Sequence, residues 1–347
     1  IYYGIYSAAD GSQTISDVLY TSTRDVTPPI PEACDFNTLQ NTGIVENTYR
    51  VEVDLPADPA GYYVFSERCC RSSAVGNIAN VGESGNVFYT YIPSPATLPN
   101  STPVFADEPD FLVCSGNPFT VINTMIDPDG DSLVYAFDEL FNGVTASPFD
   151  PAPFAPATLP PVASFERSAF ALNHSLQAPF GPGSSAEIDP ATGLTTYFSD
   201  NVGLYVVNIK VQEYRQIDGA WQLINESWRE IQIVVADCPD NEAPGLALPP
   251  DQTTSEDTLY VTRQENFCID FTLTDPEGDS VYLEFESNIL DGSGNYTGPL
   301  ASVADTSGLG TTTSSFCWQP DCETSGVYQL VVKGRDNGCP PREFNRV

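Results

Sequence analysis

The sequence "MIDPDGDSLVYAF" at residues 125–137 reappears, slightly altered, as "LTDPEGDSVYLEF" at residues 273–285. Each copy joins an acidic turn, in which proline fixes one φ angle and glycine permits a positive one, to a run of alternating apolar residues. Such alternation is typical of a half-buried antiparallel strand. Two copies of one turn-and-strand plan predict two modules that are built alike.

Apolar and polar residues also alternate in other parts of the chain. Apolar residues occupy one face in "YRVEVDLP" (49–56), "REIQIVVAD" (229–237) and "NFCIDFTLTD" (266–275). Helical periodicity is almost absent, and 30 prolines and 25 glycines interrupt the chain at short intervals. These patterns predict an all-β fold of antiparallel β-sandwich modules in tandem.

A chain of 347 residues has room for two or three domains. Proline-rich linkers near residues 104 and 238 predict an N-terminal β-rich unit (1–103) and two modules (104–237 and 238–347). The N-terminal unit lacks the acidic turn. Its strands are expected at 1–7, 17–24, 46–55, 61–67 and 86–92.

Residues 141–187 interrupt the strand pattern of the middle module. This insertion carries eight prolines and is too long for an ordinary hairpin loop. A loop with several aromatic residues is a candidate contact surface. The alternative is that it covers an open sheet edge or the flank of the sandwich.

The charge of the chain is strongly negative, because 13 Lys and Arg residues face 47 Asp and Glu residues, giving −34. Such a surface repels nucleic acid and anionic lipid, while it attracts cations and keeps a secreted protein in solution. The alternative is a surface that is acidic only for solubility or salt tolerance. No apolar run predicts insertion in a membrane, and Ile1 in place of Met suggests a piece of a longer protein.

Nine cysteines with no Cys-x-x-Cys pair and a single histidine argue against a zinc or iron–sulfur site. Disulfides in an oxidising compartment fit better, although the odd number leaves one thiol over. Cys322 and Cys339 bracket a strand-like run and are the first pair expected. Vicinal Cys69 and Cys70 are each expected to bond to a different neighbouring strand, with a redox role as the alternative.

The acidic turns are candidate calcium sites. Three carboxylates within five residues repel one another unless a cation or hydrogen-bond donors compensate their charge. Oxygen ligands without His or Cys select Ca²⁺ over transition metals, and the alternative is an ordinary Asp-Gly turn. The predicted ligands are Asp127, Asp129, Asp131 and Glu213 in the first copy, and Asp275, Glu277, Asp279 and Asp336 in the second.

These turns, with "IDPATG" (188–193) and the later Gly-aliphatic-Tyr strands, resemble the cadherin-like and immunoglobulin-like (Ig-like) modules of large bacterial surface proteins. The linker "DCPDNEAP" (237–244) is similar to the calcium-binding segment between cadherin modules, from which Cys238 and Pro239 depart. That similarity implies Asp237, Asp240 and Asn241 as further ligands.

An ordered set of stretches carries a wider resemblance: "TSTRDVTPPIPEAC" (21–34), "SERCCRSSAVGNIAN" (66–80), "DPDGDSLVY" (127–135), "VQEYR" (211–215) and "GRDNGC" (334–339). Together they resemble the N-terminal regions of long secreted Bacteroidetes proteins, which often end in a gliding-motility-associated C-terminal sorting domain. The resemblance implies export and display at the cell surface as an adhesin or fibre component.

Catalysis is not expected. His174 is the only histidine, and neither a nucleophile elbow nor a zinc-binding His pair nor a phosphate-binding glycine loop is present.

Three functions are compatible with the sequence. The first is an extracellular structural or adhesive surface protein, with disulfide-stapled modules stabilised by Ca²⁺ and other surface proteins as partners. The second is a subunit of an extracellular filament assembled through edge strands. The third is a carbohydrate-binding module of a larger secreted enzyme, with glycans stacked on Trp221, Trp228 or Trp318.

Overall fold

The computed structural model describes residues 2–18, 21–25, 45–94, 96, 98–106, 112–143, 165–237, 241–248, 258–292, 296–324, 326–338 and 341–346. Their regular structure is almost entirely β-strand in several antiparallel sheets, which confirms the predicted all-β sandwich fold. These residues form one short α-helix, α1 (Asn288–Asp291), and one 3₁₀ turn at Val81–Glu83. Neither is long or apolar enough to span a membrane.

The N-terminal strands form a four-stranded sheet and a separate hairpin. They are β1 (Tyr2–Ser7), β2 (Gln13–Val18), β3 (Thr21–Asp25), β4 (Val45–Tyr49), β5 (Tyr62–Arg68) and β6 (Asn86–Ile92). The sheet has the antiparallel order β2-β1-β5-β6, and β3 pairs with β4. Tyr3, Ile5 and Tyr62 form a small core on this sheet.

Two of the predicted N-terminal strands are wrong in extent. The strand expected at 17–24 is divided between the end of β2 and β3, and the strand expected at 46–55 stops at Tyr49. Val53 and Leu55 still pack against the Tyr3–Ile5–Tyr62 core. The predicted apolar face is therefore partly covered only at Val53 and Leu55, since Tyr49 and Val51 are exposed.

The described residues of the middle module form nine strands. They are β7 (Val104–Phe105), β8 (Leu112–Cys114), β9 (Phe119–Ile122), β10 (Met125–Ile126), β11 (Ser132–Phe137), β12 (Ser185–Ile188), β13 (Leu194–Phe198), β14 (Gly203–Ile217) and β15 (Ala220–Ala236). A sheet of order β11-β14-β15-β8 faces one of order β12-β13-β9. Tyr135, Tyr197, Ile209 and Ile233 are at most 1% exposed in the shared core.

The C-terminal module repeats this two-sheet plan. Its strands are β16 (Gly245–Ala247), β17 (Phe267–Thr274), β18 (Ser280–Glu286), β19 (Thr306–Leu309), β20 (Thr311–Trp318), β21 (Val331–Asp336) and β22 (Glu343–Arg346). The sheets have the orders β16-β17-β20 and β19-β18-β21-β22. Leu273, Val281 and Leu283 are fully buried between them.

The register of the two modules is the same around the acidic turns. Leu133, the first inward residue after the first turn, pairs with Glu213 across β11 and β14. Val281, its counterpart after the second turn, pairs with Asp336 across β18 and β21. Each turn therefore has one acid on the neighbouring strand at an equivalent position.

The segment from Arg71 to Gly85 packs on the middle module. Val75 and Ile78 share a small core with Leu140 and Val206. The Asn77 side chain donates to the carbonyl of Val206 (2.7 Å) and accepts from its amide (3.0 Å). The domain limits 1–103, 104–237 and 238–347 stay predictions. A limit at residue 103 would assign the segment from Arg71 to Gly85 to the N-terminal unit, although its apolar residues pack in a core with the middle module.

The described part of the proline-rich insertion covers the sandwich. Phe180 is fully buried against Tyr197 and Tyr205. Phe165 packs against Tyr89 and Phe141. Residues 165–187 thus favour the covering role over the contact surface, whereas residues 144–164 lie outside the described part.

The cysteine pairing differs from the predictions. Cys69 and Cys70 are joined to each other, so the prediction that each bonds to a neighbouring strand is wrong. Cys268 and Cys317 form a disulfide across β17 and β20 that was not predicted. Cys322 is an exposed free thiol, and its predicted partner, Cys339, lies outside the described residues.

Candidate acidic metal site

The first acidic turn is held by its own first aspartate. Oδ1 of Asp127 accepts hydrogen bonds from the amides of Asp129 (2.9 Å) and Asp131 (2.8 Å). Gly130 has a φ of 79°, a conformation that glycine adopts without strain. The turn consequently directs its side chains toward the end of β14.

Asp127, Asp131 and Glu213 form an acidic triad at this position. One carboxylate oxygen from each lies within 4.8 Å of the others. Glu213 is 1% exposed and Asp127 is 7% exposed. Neither oxygen of Glu213, nor Oδ2 of Asp127, makes a hydrogen bond with any described residue. The triad therefore contains buried acceptors whose protein environment does not satisfy them.

Arg215 compensates part of the negative charge. Its Nε donates to both oxygens of Asp131, at 2.8 and 3.0 Å, and its Nη2 lies 3.2 Å from Asp129. With the triad and Asp129 ionised, four negative charges face this one guanidinium, which leaves an excess of three. A divalent cation would offset most of that excess.

Burial alters the protonation of the triad. Loss of hydration, together with the smaller effect of the charge of Asp127, raises the pKa of Glu213 to about 8. Burial likewise raises the pKa of Asp127. The amides of Asn100 and Asn225 lie close enough to lower the pKa of Glu213, yet neither Nδ2 atom makes a well-aligned hydrogen bond with a described residue. A bound proton or a bound cation is needed to neutralise the remaining negative charge of the triad.

We expect higher pH to destabilise the calcium-free protein. The pKa of Glu213 is about 8 in the fold against an ordinary 4.5, so between these values the folded state holds a proton that the unfolded chain has released. In chelator, the melting temperature of the wild type should fall relative to that of Glu213→Gln as the pH rises through this interval. Parallel pH profiles for the two proteins would contradict the expectation.

The donor atoms of the triad fit a calcium ion. Ca²⁺ takes carboxylate oxygens, singly or in pairs, in a flexible geometry. Asp127, Asp131 and Glu213 would hold it, and its charge would relieve their mutual repulsion. The unpaired buried oxygens are the structural observation behind this fit.

The second copy compensates Asp336 with protein groups, although Oδ2 of the buried Asp275 makes no hydrogen bond with a described residue. Asp336, 2% exposed, accepts hydrogen bonds from the amides of Gly338 (2.9 Å) and Arg342 (2.8 Å). Asn241 donates to both of its oxygens at 3.2 Å, and Nε of the buried Arg342 donates to the carbonyl of Asn241 (3.1 Å). Burial still raises the pKa of Asp336 to about 6, with a smaller contribution from Asp275.

The other predicted ligands have different surroundings. Asp275 is buried and accepts from the amide of the half-buried Asp279 at 2.7 Å. Glu277 is exposed at the tip of the second turn. Asp237 is exposed and accepts from Oγ of Ser115 (2.8 Å), while Asp240 lies outside the described residues. Within the described ranges, only the first copy brings three acids this close together.

Sequence reasoning missed the arginines and amides that decide the charge balance. Arg215 was visible as the last residue of "VQEYR", two positions after Glu213 and on the same face of a strand. Asn225 lies opposite Glu213 on β15, where only the strand register could have placed it. Nothing in the sequence marked Arg342 as a partner of the second acidic turn.

Of the tryptophans, Trp228 packs against Tyr89 and Phe141, and Trp318 packs against Tyr328. Trp221 is 63% exposed, whereas Trp318 is buried and Trp228 is half-buried, so Trp221 offers a glycan the most open ring of the three.

Comparison with known proteins assigns no family to this chain. No protein-family model matches the sequence, and no curated protein matches it. The fold and the acidic triad are therefore the basis for a functional proposal.

Proposed function

We propose that this chain is part of an extracellular structural or adhesive surface protein, in which Ca²⁺ bound by Asp127, Asp131 and Glu213 stabilises a β-sandwich module. The buried triad, with its unpaired oxygens, is the observation that carries this proposal. The all-β fold and the Cys268–Cys317 disulfide are compatible with such a protein. The net charge of −34 favours cations as partners.

The triad lies next to the segment that leads into the middle module. Asp129 accepts a hydrogen bond from the amide of Ser101 at 2.6 Å. Arg215 donates to the carbonyl of Pro99 (2.7 Å) and to Oδ1 of Asn100 (2.6 Å). Residues 99–101 lead into the middle module, so an ion in the turn would also restrain the segment before it. Such restraint is expected in a protein whose consecutive modules must stay rigid relative to one another.

Calcium should raise the thermal stability of the wild type, because an ion that binds only the folded state adds stability by mass action. At a concentration ten times the Kd, the gain is about 1.4 kcal/mol. Glu213→Gln should abolish most of it, whereas Glu277→Gln, at the exposed tip of the other turn, should retain it. Thermal melts in calcium and in chelator measure both.

Two results would remove calcium from the proposal. One is a wild-type melting temperature that is the same in calcium and in chelator. The other is an equal gain in wild type and Glu213→Gln, which would place the responsible ion elsewhere on the acidic surface.

A further inference from the structure

A cleft lies where the middle and C-terminal modules meet. Its volume is about 310 Å³, at the small end of the range for ligand sites. Residues 128–130 of the first acidic turn form one side, and residues 296–298, 321, 323–324 and 326–328 of the C-terminal module form most of the other. The calcium proposal assigns no function to this cleft.

The charge of the cleft is negative. Asp129, Asp321 and Glu323 are among its lining residues, and no Lys, Arg or His from the described part of the chain lines it. Oδ1 of Asp321 accepts from the amides of Glu323 (3.0 Å) and Thr324 (2.8 Å) and from Oγ1 of Thr324 (2.6 Å). These hydrogen bonds lower the pKa of Asp321, which keeps the carboxylate ionised.

An aromatic wall stands beside these acids. Tyr328 meets the rings of Tyr296 and Trp318 edge to face, with centroids 5.6 and 5.5 Å apart, so its ring is held in place. Val327, next to it, is 95% exposed and is also part of the lining. The charge of Asp321 adds to burial in raising the pKa of Tyr328, which indicates that the carboxylate lies near this wall.

We infer that the cleft binds a lysine or arginine side chain of a protein partner. The long aliphatic stem of such a side chain packs on tyrosine and valine, and its cationic end meets the carboxylates and the faces of the rings. Phosphate groups and acidic sugars are repelled by the same carboxylates. An amino sugar carries its charge on a hydroxylated ring and makes less use of the exposed valine, which favours a protein.

Binding of short peptides tests this inference. Blocked Gly-Lys-Gly and Gly-Arg-Gly peptides are titrated calorimetrically into the full chain, with Gly-Glu-Gly and a glucosamine oligomer as comparisons. Calcium is kept at about 2 mM, above the 10⁻⁴–10⁻³ M range of extracellular sites, so that the acidic turn stays in one state. We expect saturable binding of the basic peptides alone.

Variants separate the cleft from the general acidity of the protein. Glu323→Gln should weaken basic-peptide binding about threefold to fivefold, and Tyr328→Leu about threefold. The matched controls are Glu52→Gln, an exposed acid of the N-terminal unit, and Tyr260→Leu, 79% exposed and outside the lining. Neither control should change the affinity.

Three outcomes would overturn the inference: no saturable binding of the basic peptides, equal weakening by Glu323→Gln and Glu52→Gln, or binding of the glucosamine oligomer without the peptides. Because Tyr328 packs against Trp318, its variant is interpreted only if its melting temperature stays near that of the wild type. Glu323 is exposed, so its substitution should not disturb folding, and its effect on peptide binding can be interpreted whether or not Tyr328→Leu is stable.

Discussion

Replacing Arg71 by alanine should lower the free energy of unfolding by about 3–5 kcal/mol, because it leaves a largely buried acid without its partner. The Arg71 side chain is fully buried and forms a two-point pair with Glu230, from Nε to Oε1 (2.9 Å) and from Nη2 to Oε2 (2.7 Å). The guanidinium also donates to Oγ of Ser84 and Ser168 and to the carbonyl of Phe141 (2.5, 3.1 and 2.7 Å).

Urea titration of Arg71→Ala measures the loss. The matched control is Arg335→Ala, whose pair with Glu284 is nearly half exposed on both sides and should contribute at most about 1 kcal/mol. A double variant with methionine at positions 71 and 230 should recover much of the loss, since it removes both charges together. Equal losses in Arg71→Ala and Arg335→Ala would show that the buried network is not a stabilising contact.

This network has a structural consequence beyond its energy. Arg71 and Ser84 lie in the segment that precedes the middle module, whereas Glu230 is on β15 and Ser168 is in the insertion. One guanidinium thus joins three stretches that are far apart in the chain. If the network stabilises this contact, the segment from Arg71 to Gly85 and the middle module should unfold in one transition in urea.

The alternation of apolar residues was sufficient to predict the buried faces of the main strands. Leu133 and Tyr135 on β11, and Ile231 and Ile233 on β15, are buried as period two requires. The Arg71 network could not be predicted in the same way, because Arg71 and Glu230 are 159 residues apart. Strand periodicity reports which face of a segment is buried, and it says nothing about which distant segment lies against that face.

The candidate site was predictable to a similar extent. The repeated sequence plan of the two modules predicted that Glu213 and Asp336 occupy equivalent positions. The charge balance at each position depends on Arg215 in the first module and on Arg342 and Asn241 in the second. Arg215 is on the same strand as Glu213, whereas Arg342 and Asn241 come from a loop and from the linker, so the identities of those two follow only from tertiary structure.

Removing the Cys268–Cys317 disulfide should lower the free energy of unfolding by about 2–4 kcal/mol. The bond closes a loop between residues 49 positions apart, which restricts the unfolded chain. The fold itself should persist, because the same strands stay paired through the neighbouring Thr272–Thr313 and Asp270–Ser315 contacts. The expected result is a less stable protein with unchanged sheet structure.

Denaturation of a Cys268→Ser/Cys317→Ser variant, followed by circular dichroism, measures this effect. Cys322→Ser is the control, because that thiol is free and exposed and its loss should leave stability unchanged. Cys268 is exposed on the outer face of the sheet, so a reductant should open this bond in the wild type without prior unfolding and cause at least the same loss, since Cys69–Cys70 is reduced as well. If stability is equal in oxidised and reduced protein, the disulfide no longer supports an extracellular site of action. A loss of the expected size would mean that this module reaches its full stability only in an oxidising compartment.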